Sequence, residues 1–396
     1  MKIERVAIIK DGSVADELRL LKGLEPDPMF RPRDSVVPYI EELINGLSEK
    51  KLMIFGRTEK NDSFTHGTIT AHSIDSTSNE SCLPVRLFKR IRADRRIKYK
   101  IKRFNPDLII SFGIYNQQPF LYKLSRDVGS VFLPIIVQSW IEPGCKIRKC
   151  LWRKAVKVIK KKNIPSIFVR GHYLADHLNK QFGLPQEKIT IYYPRYDKKL
   201  YRQDNSRNPF DNRCYNLLFV GRLESDKGIE ILPDLLDKLS QEIPELKFSI
   251  VGNGSREKWL EEKLLIIDKE QKHWEMVGYV EPLQIFDYFL NCNVYLMPTQ
   301  REGFGKTAFE AGLCGAPIVA SRVDNLEYMF DDRVDGMLIE WNDIDGFAKA
   351  ILELYNDRDF AETIGRKIST KFRNIKMQTL TESLKELILN IEKKNK

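Results

Sequence analysis

Short apolar runs alternate with amphipathic segments along this chain. Residues 5–9, 52–55 and 131–137 are hydrophobic runs of strand length. Residues 36–47 and 86–104 instead repeat apolar positions at the spacing of a helix. A regular alternation of strand and helix is typical of parallel sheets that are covered by helices on both faces. The predicted fold class is therefore α/β, with doubly wound sheets.

The alternation is interrupted once and then restarts. Residues 203–212 are polar and contain a proline, which predicts an interdomain linker. A chain of 396 residues is also too long for one ordinary core. We therefore expect an N-terminal domain over residues 1–202, a C-terminal domain over 213–374 and a terminal helix over 375–396.

Composition indicates the cellular environment in which the chain is expected to fold. Charged residues make up 30% and hydrophobic residues 42%, as in a soluble globular protein. No apolar run is long enough to span a bilayer, and the N-terminus lacks the core of a signal peptide. The 6 cysteines show no metal-binding spacing, so we expect free thiols in a reducing cytoplasm.

The net charge of +10 is concentrated in two helical segments, residues 86–104 and 146–162. In the first, Leu87, Ile91, Ile97, Ile101 and Phe104 are predicted to form the core-facing stripe, with Phe88 and Tyr99 among the cations. Basic helices with exposed aromatic residues suit an anionic membrane surface. We expect both segments to dock there.

Residues 301–310 read Arg-Glu-Gly-Phe-Gly-Lys-Thr-Ala-Phe-Glu and join a short apolar strand to a helix-prone segment. At such a junction glycines let backbone amides approach an anion, and the helix start favours phosphate. Glu302 and Glu310 flank this point, and a carboxylate accepts two vicinal hydroxyls of a ribose or hexose. The spacing predicts a nucleotide-sugar site built from Glu302, Gly303, Phe304, Gly305, Lys306, Thr307 and Glu310.

A second strand-to-helix turn carries two cations. Gly221 opens it, and Arg222 and Lys227 could hold a diphosphate and stabilise the charge that it gains on leaving. The next strand ends in a Gly-x-Gly that starts at Gly252. Because no third glycine follows, a dinucleotide site is disfavoured.

Other polar residues suggest structural roles. His66 and His72 have no cysteine or carboxylate partner nearby in the sequence, and we expect both on the surface. Asp343-Ile344-Asp345 has the form of a metal motif, but it precedes a helical segment, where aspartates cap helix starts. No metal site is predicted.

The Glu-Gly-Phe-Gly motif, with a glutamate on the following helix, resembles the retaining family 4 glycosyltransferases (glycosyl transferases group 1). The resemblance covers most of the second half and implies the GT-B fold: two Rossmann-like doubly wound domains facing a central cleft, with the terminal helix crossing back to the first. The first domain would bind the acceptor and the second the donor.

The resemblance also implies roles for individual residues. Glu302, Arg222 and Lys227 would be catalytic, and Gly12 and Gly278 would join the donor site. No cofactor or metal is implied. Relatives often carry a histidine where this chain has Gln138, so the catalytic contacts of the first domain are open.

We therefore expect transfer of a hexose, with retention, from a UDP- or GDP-sugar to a glycan or lipid-linked acceptor in cell-surface polysaccharide or lipopolysaccharide synthesis. The protein would be cytoplasmic or peripheral on the inner face of the membrane. Three alternatives stay open: a nucleotide-sugar epimerase on the same fold, a dinucleotide oxidoreductase, and a basic nucleic-acid-binding protein without enzymatic activity. The glutamate pair argues against the last, and we expect no nucleic-acid partner.

Overall fold

The computed structural model separates the chain into two compact units, Met1–Arg195 with Met377–Lys396 (unit 1), and Tyr196–Lys376 (unit 2). The described residues are 1–11, 13–26, 37–76, 83–112, 117–137, 146–193, 214–281 and 283–394. The predicted linker and Gly12 lie outside these ranges, as does Gln138.

Unit 1 is built on an 8-stranded sheet with the order β3-β4-β2-β1-β5-β6-β7-β8. Every neighbouring pair is parallel except β3 and β4, which form a hairpin from the polar stretch after β2. The strands are β1 (Arg5–Asp11), β2 (Lys51–Thr58), β3 (Asp62–His66), β4 (Ile69–Asp75), β5 (Leu108–Phe112), β6 (Val131–Ile136), β7 (Ile167–Arg170) and β8 (Ile189–Tyr192). The helices before the linker are α1 (Val14–Leu21), α2 (Val37–Gly46), α3 (Leu83–Phe104), α4 (Gln118–Asp127), α5 (Lys146–Ile159) and α6 (His172–Phe182).

Unit 2 contains a 6-stranded parallel sheet with the order β11-β10-β9-β12-β13-β14. Its strands are β9 (Tyr215–Val220), β10 (Leu246–Val251), β11 (Trp274–Gly278), β12 (Val294–Met297), β13 (Ile318–Ser321) and β14 (Met337–Ile339). Its helices are α7 (Leu232–Glu242), α8 (Glu257–Ile267), α9 (Ile285–Asn291), α10 (Lys306–Leu313), α11 (Leu326–Met329), α12 (Ile344–Asn356) and α13 (Arg358–Asn374). The predicted doubly wound parallel sheets are therefore confirmed in both units.

The terminal helix α14 (Leu380–Lys394) packs within unit 1. Its apolar side chains at a spacing of three and four residues, including Leu384 and Ile388, join the buried cluster around Val6. Thr381 fixes the start of the helix, since its amide donates to Glu42 Oε1 at 3.1 Å and its hydroxyl donates to the Glu42 carbonyl at 2.8 Å. No helix in the described ranges has the length and apolar character needed to cross a bilayer.

Three local predictions have clear outcomes. The Asp343 side chain accepts a hydrogen bond from the Gly346 amide at 2.9 Å, which confirms the helix cap. The expectation that Ile91 faces the core is wrong, because α3 buries Ala93, Ile97 and Ile101 and leaves Ile91 exposed. His72 is also not a surface residue: β4 buries it against Phe55, with ring centroids 5.5 Å apart.

Candidate active site

Three glycines meet at the carboxyl edge of the sheet of unit 2. Gly221 follows β9, Gly252 follows β10, and Gly278 ends β11. The Gly252 amide donates to the Gly278 carbonyl at 2.7 Å, and the Gly221 amide donates to the carbonyl of Val251 at 3.0 Å. Gly252 has a φ of 132°, and a Cβ there would lie 1.9 Å from the Gly221 carbonyl oxygen. The edge therefore requires bare backbone, which is the surface that ligands approach in doubly wound sheets.

The turn after Gly221 is fastened to the loop that follows β12. Gly228 has a φ of 73°, and a Cβ there would lie 1.8 Å from the Pro298 carbonyl oxygen. The Asp226 carbonyl accepts from the Gln300 amide and from the Thr299 hydroxyl, each at 2.9 Å. These contacts bring the cationic turn to the start of the Glu-Gly-Phe-Gly segment, which lies far away in sequence.

Lys227 and Glu302 form an ion pair across this junction. Lys227 Nζ lies 2.8 Å from Glu302 Oε2, and the two side chains are 21% and 16% exposed. The other carboxylate oxygen of Glu302 accepts from the Gly305 amide at 3.1 Å, and the Glu302 amide donates to Asp324 Oδ2 at 2.9 Å. Glu302 is thus held from both sides, and it holds the Lys227 ammonium beside the beginning of α10.

Helix α10 starts directly at this point. Gly305 caps it with a φ of 83°, and a Cβ there would approach Leu326 Cδ2 to 2.8 Å. The first amides of any helix lack partners within the helix, so they can bind an anion. Tyr295, buried in β12, donates to the Thr307 hydroxyl at 2.7 Å and fixes the first turn from below.

Glu310 lies on the second turn of α10. Lys306 Nζ is 3.3 Å from its Oε1, and the Glu310 side chain is largely buried while that of Lys306 is half exposed. Burial raises the pKa of Tyr295, and the negative charges of Glu302 and Glu310 raise it further. Both carboxylates therefore act on the buried Tyr295 hydroxyl. Glu302 lies before the start of α10, and Glu310 lies on its second turn.

Residues 202–370 match the family model described as glycosyl transferases group 1. Most of unit 2 is therefore similar to the glycosyl transferases of group 1. Curated relatives include an uncharacterised glycosyltransferase of Methanocaldococcus jannaschii, 28% identical over 53% of this chain and 56% of the relative. The capsular polysaccharide biosynthesis glycosyltransferase CapM of Staphylococcus aureus is 25% identical over 52% of each chain. The chain thus spans about half the length of the curated relatives it matches.

Solved structures resemble the chain over both units. Anabaena HepE in complex with UDP superposes with a TM-score of 0.70 at 14% identity, covering 100% of this chain and 99% of HepE. The sucrose-phosphate synthase of Thermosynechococcus elongatus gives 0.71 at 16% identity, covering 99% of this chain and 98% of the synthase. These similarities concern the fold, and they confirm the predicted GT-B class.

Unit 2 does not pair Arg222 with Glu302. The Arg222 guanidinium lies 3.1 Å from Asp226 Oδ2, and its side chain is 65% exposed. It shares the turn with Lys227 but stays in solvent. In the described ranges, no three histidine, cysteine or acidic side chains group as a metal site.

Sequence reasoning missed two residues of this arrangement. Asp324 holds the Glu302 amide from the turn after β13, where its φ is 46°. An Asp-Asn pair in a turn was the available signal, because these residues tolerate left-handed backbone. Tyr295 looked like one more residue of an apolar strand, and nothing in its spacing indicated that its hydroxyl reaches Thr307.

Proposed function

We propose that this chain is a hexosyltransferase that uses a nucleoside-diphosphate sugar. The observation that carries the proposal is the ion pair of Lys227 and Glu302, which places an ammonium group between a bare glycine edge and the start of α10. When the anomeric bond breaks, its electrons pass to the departing diphosphate. A fixed cation at this position would stabilise the charge that develops there.

The donor would lie along the carboxyl edge of unit 2. Its diphosphate would contact Gly221, Gly252 and the first amides of α10, with Lys227 beneath it and Arg222 turning from Asp226 to meet it. Glu310 would accept the ribose hydroxyls, and the backbone at Gly278 would border the base. A UDP- or GDP-sugar fits this arrangement, and HepE, similar in fold, has been solved with UDP-glucose.

Glu302 would orient the hexose rather than remove a proton. One of its oxygens is held by Lys227 and the other by the Gly305 amide, so its charge is already engaged. The proposal therefore includes retention of anomeric configuration, as the resemblance to family 4 implies. It includes no metal or cofactor, because Lys227 and Arg222 would provide the positive charge.

The acceptor would be a glycan or a lipid-linked sugar bound by unit 1. CapM acts, by its name, in capsular polysaccharide biosynthesis, which supports a role in cell-surface polysaccharide or lipopolysaccharide synthesis. We place the enzyme in the cytoplasm, peripheral on an anionic membrane face.

A thermal-shift screen against UDP-, GDP- and ADP-hexoses tests the donor class. We expect one nucleotide series to stabilise the protein and its hexose to be released or transferred with the free nucleoside diphosphate as co-product. NMR of the product would show the same anomeric configuration as the donor. Conversion of the nucleotide-sugar into an isomer, without release of diphosphate, would instead establish the epimerase, and indifference to every nucleotide would reject both.

A further inference from the structure

Helix α3 buries one face and leaves large apolar side chains exposed on the other. Ala93, Ile97 and Ile101 are fully buried against the sheet of unit 1. Phe88 and Tyr99 are 65% and 61% exposed, and Val85 and Ile91 are also exposed. Monomeric proteins leave single apolar residues in solvent without consequence, but several on one helix face mark an interaction surface.

These residues share their face with cations. Val85, Phe88, Arg92, Arg95, Tyr99 and Lys102 follow one another at alternating intervals of three and four residues, which places them on one stripe of a helix. Ile91 and Lys98 border the stripe. We call this set, with both bordering residues, the α3 face.

Three other charged residues of α3 attach it to its own unit. Lys89 Nζ lies 3.2 Å from Asp75, Arg96 donates to Asn61, and Asp94 accepts from Arg57 at 2.5 Å. By contrast, within the described ranges, Arg92, Arg95 and Lys98 are exposed and have no carboxylate partner. Cations without a carboxylate partner and large apolar side chains thus share one exposed face of the helix.

Helix α5 shows the same charge without the apolar component. Arg153, Lys154 and Lys157 are exposed. The large side chain Trp152, however, packs edge-on against Phe182 with ring centroids 5.5 Å apart. No large apolar residue is exposed in the part of α5 whose side chains are described. Its cationic face is that of a solvated outer helix.

We propose that the α3 face docks on an anionic lipid surface and that α5 contributes only diffuse attraction. Cations draw the helix to acidic headgroups, and Phe88, Ile91 and Tyr99 can enter the interface between headgroups and acyl chains. A nucleic acid would use the cations but would leave Val85 and Ile91 in water. This inference specifies the membrane part of the proposed function, and because it requires neither donor nor acceptor, its failure would leave the transfer reaction untouched.

Sedimentation of the full chain with vesicles tests it. The probes are phosphatidylcholine vesicles and vesicles of phosphatidylcholine with phosphatidylglycerol. We expect salt-sensitive binding to the second type only. The triple variant Arg92→Ser, Arg95→Ser, Lys98→Ser should bind about 100-fold more weakly, since each cation near the surface contributes about 1 kcal/mol. The pair Phe88→Ser and Tyr99→Ser should lose about tenfold or more at unchanged charge.

The matched control is Arg153→Ser, Lys154→Ser, Lys157→Ser on α5, which removes the same charge. It should stay within about threefold of the unmodified chain. Equal losses of vesicle affinity in both triple variants would mean that binding is diffuse electrostatic attraction, and would overturn the proposal that the α3 face docks. Full binding by the Phe88→Ser, Tyr99→Ser variant would overturn it as well. A thermal midpoint equal to that of the unmodified chain would show that each variant is folded. Tighter binding of a single-stranded RNA with the same sensitivity to Phe88 and Tyr99 would reassign the surface to nucleic acid.

Discussion

The carboxyl edges of the two sheets use charge in opposite ways. In unit 1, Lys10 at the end of β1 lies 2.9 and 2.7 Å from the two oxygens of Glu17 on α1, and both side chains are buried. In unit 2, Lys227 and Glu302 pair at a similar distance but remain partly open to solvent. The first pair is part of the packing between β1 and α1, whereas the second leaves its ammonium group partly accessible from solvent. The two ion pairs thus share a geometry but differ in burial, and the roles that we propose for them follow that difference.

The neighbourhood of the unit 1 pair strengthens this contrast. Asp16 is fully buried and accepts from Arg19 at 2.8 Å, and Arg19 also reaches Asp62 at the start of β3. The Arg19 guanidinium lowers the pKa of Asp62, and its own pKa is raised by that carboxylate. These bonds tie α1 to the hairpin. The described charges at this edge of unit 1 are mutually engaged.

The largest expected effect is loss of stability on breaking the buried pair of unit 1. Glu17→Leu should lower the free energy of unfolding by about 3 to 5 kcal/mol, because the Lys10 ammonium loses a bidentate partner inside the protein. Urea titration followed by circular dichroism measures it. The double variant Lys10→Met, Glu17→Leu should recover most of the loss. A single-variant loss below about 1 kcal/mol would show that the pair is not effectively buried.

The open pair of unit 2 should respond in activity instead. Lys227→Ala should reduce kcat by about 100-fold or more, since the proposed role of this cation is to stabilise charge that builds up in the transition state. Its unfolding free energy should fall by less than that of Glu17→Leu, because the two side chains are more open to solvent than the pair of unit 1. Lys238→Ala provides the control, because that lysine also pairs with an acid, Asp345 at 3.0 Å, but lies on α7. Activity within a few-fold of the control would remove Lys227 from the proposed site.

This difference between the units also explains what sequence could predict. Glycines that tolerate no side chain, such as Gly252 and Gly305, leave a local signature, so the glycine edge of unit 2 was predictable from residues 221–310 alone. The contact of Arg19 with Asp62, by contrast, joins residues 43 positions apart and depends on which strand lies beside α1. Short-range spacing carries no record of that neighbour. For the same reason the burial of His72 and the exposure of Ile91 were mispredicted: each depends on the precise orientation of one element against another.

Glu310 provides a smaller and more specific test of the open edge. Glu310→Gln should weaken UDP or GDP binding by about 1 to 3 kcal/mol, because an amide accepts ribose hydroxyls less strongly than a carboxylate. Titration calorimetry measures the affinity, with Glu362→Gln, an exposed residue of α13, as the control. A 2′,3′-dideoxy nucleoside diphosphate lacks the ribose hydroxyls, so it should bind the Glu310→Gln variant and the unmodified chain equally. Unchanged affinity for the ribonucleotide would reject the ribose assignment.

The smallest effect concerns acid and again separates the units. Burial, with a contribution from Lys100, lowers the pKa of His72 from 6.5 to about 4. The unfolded chain therefore binds a proton near pH 6.5 that the folded chain refuses until about pH 4, and stability falls as pH drops through this window. Between pH 7 and 5.5 the loss of unfolding free energy should be about 1 kcal/mol.

The variant His72→Leu tests this, because its side chain at position 72 cannot titrate. Urea titrations at the two pH values give the unfolding free energy of the variant and of the unmodified chain, and the difference between them should shift by that amount. Because His72 lies in the core beside Phe55, acid should expose unit 1 to hydrogen exchange before unit 2. If the unfolding free energies of the variant and the unmodified chain depended on pH in parallel, His72 would be taking up its proton in the folded chain, without unfolding.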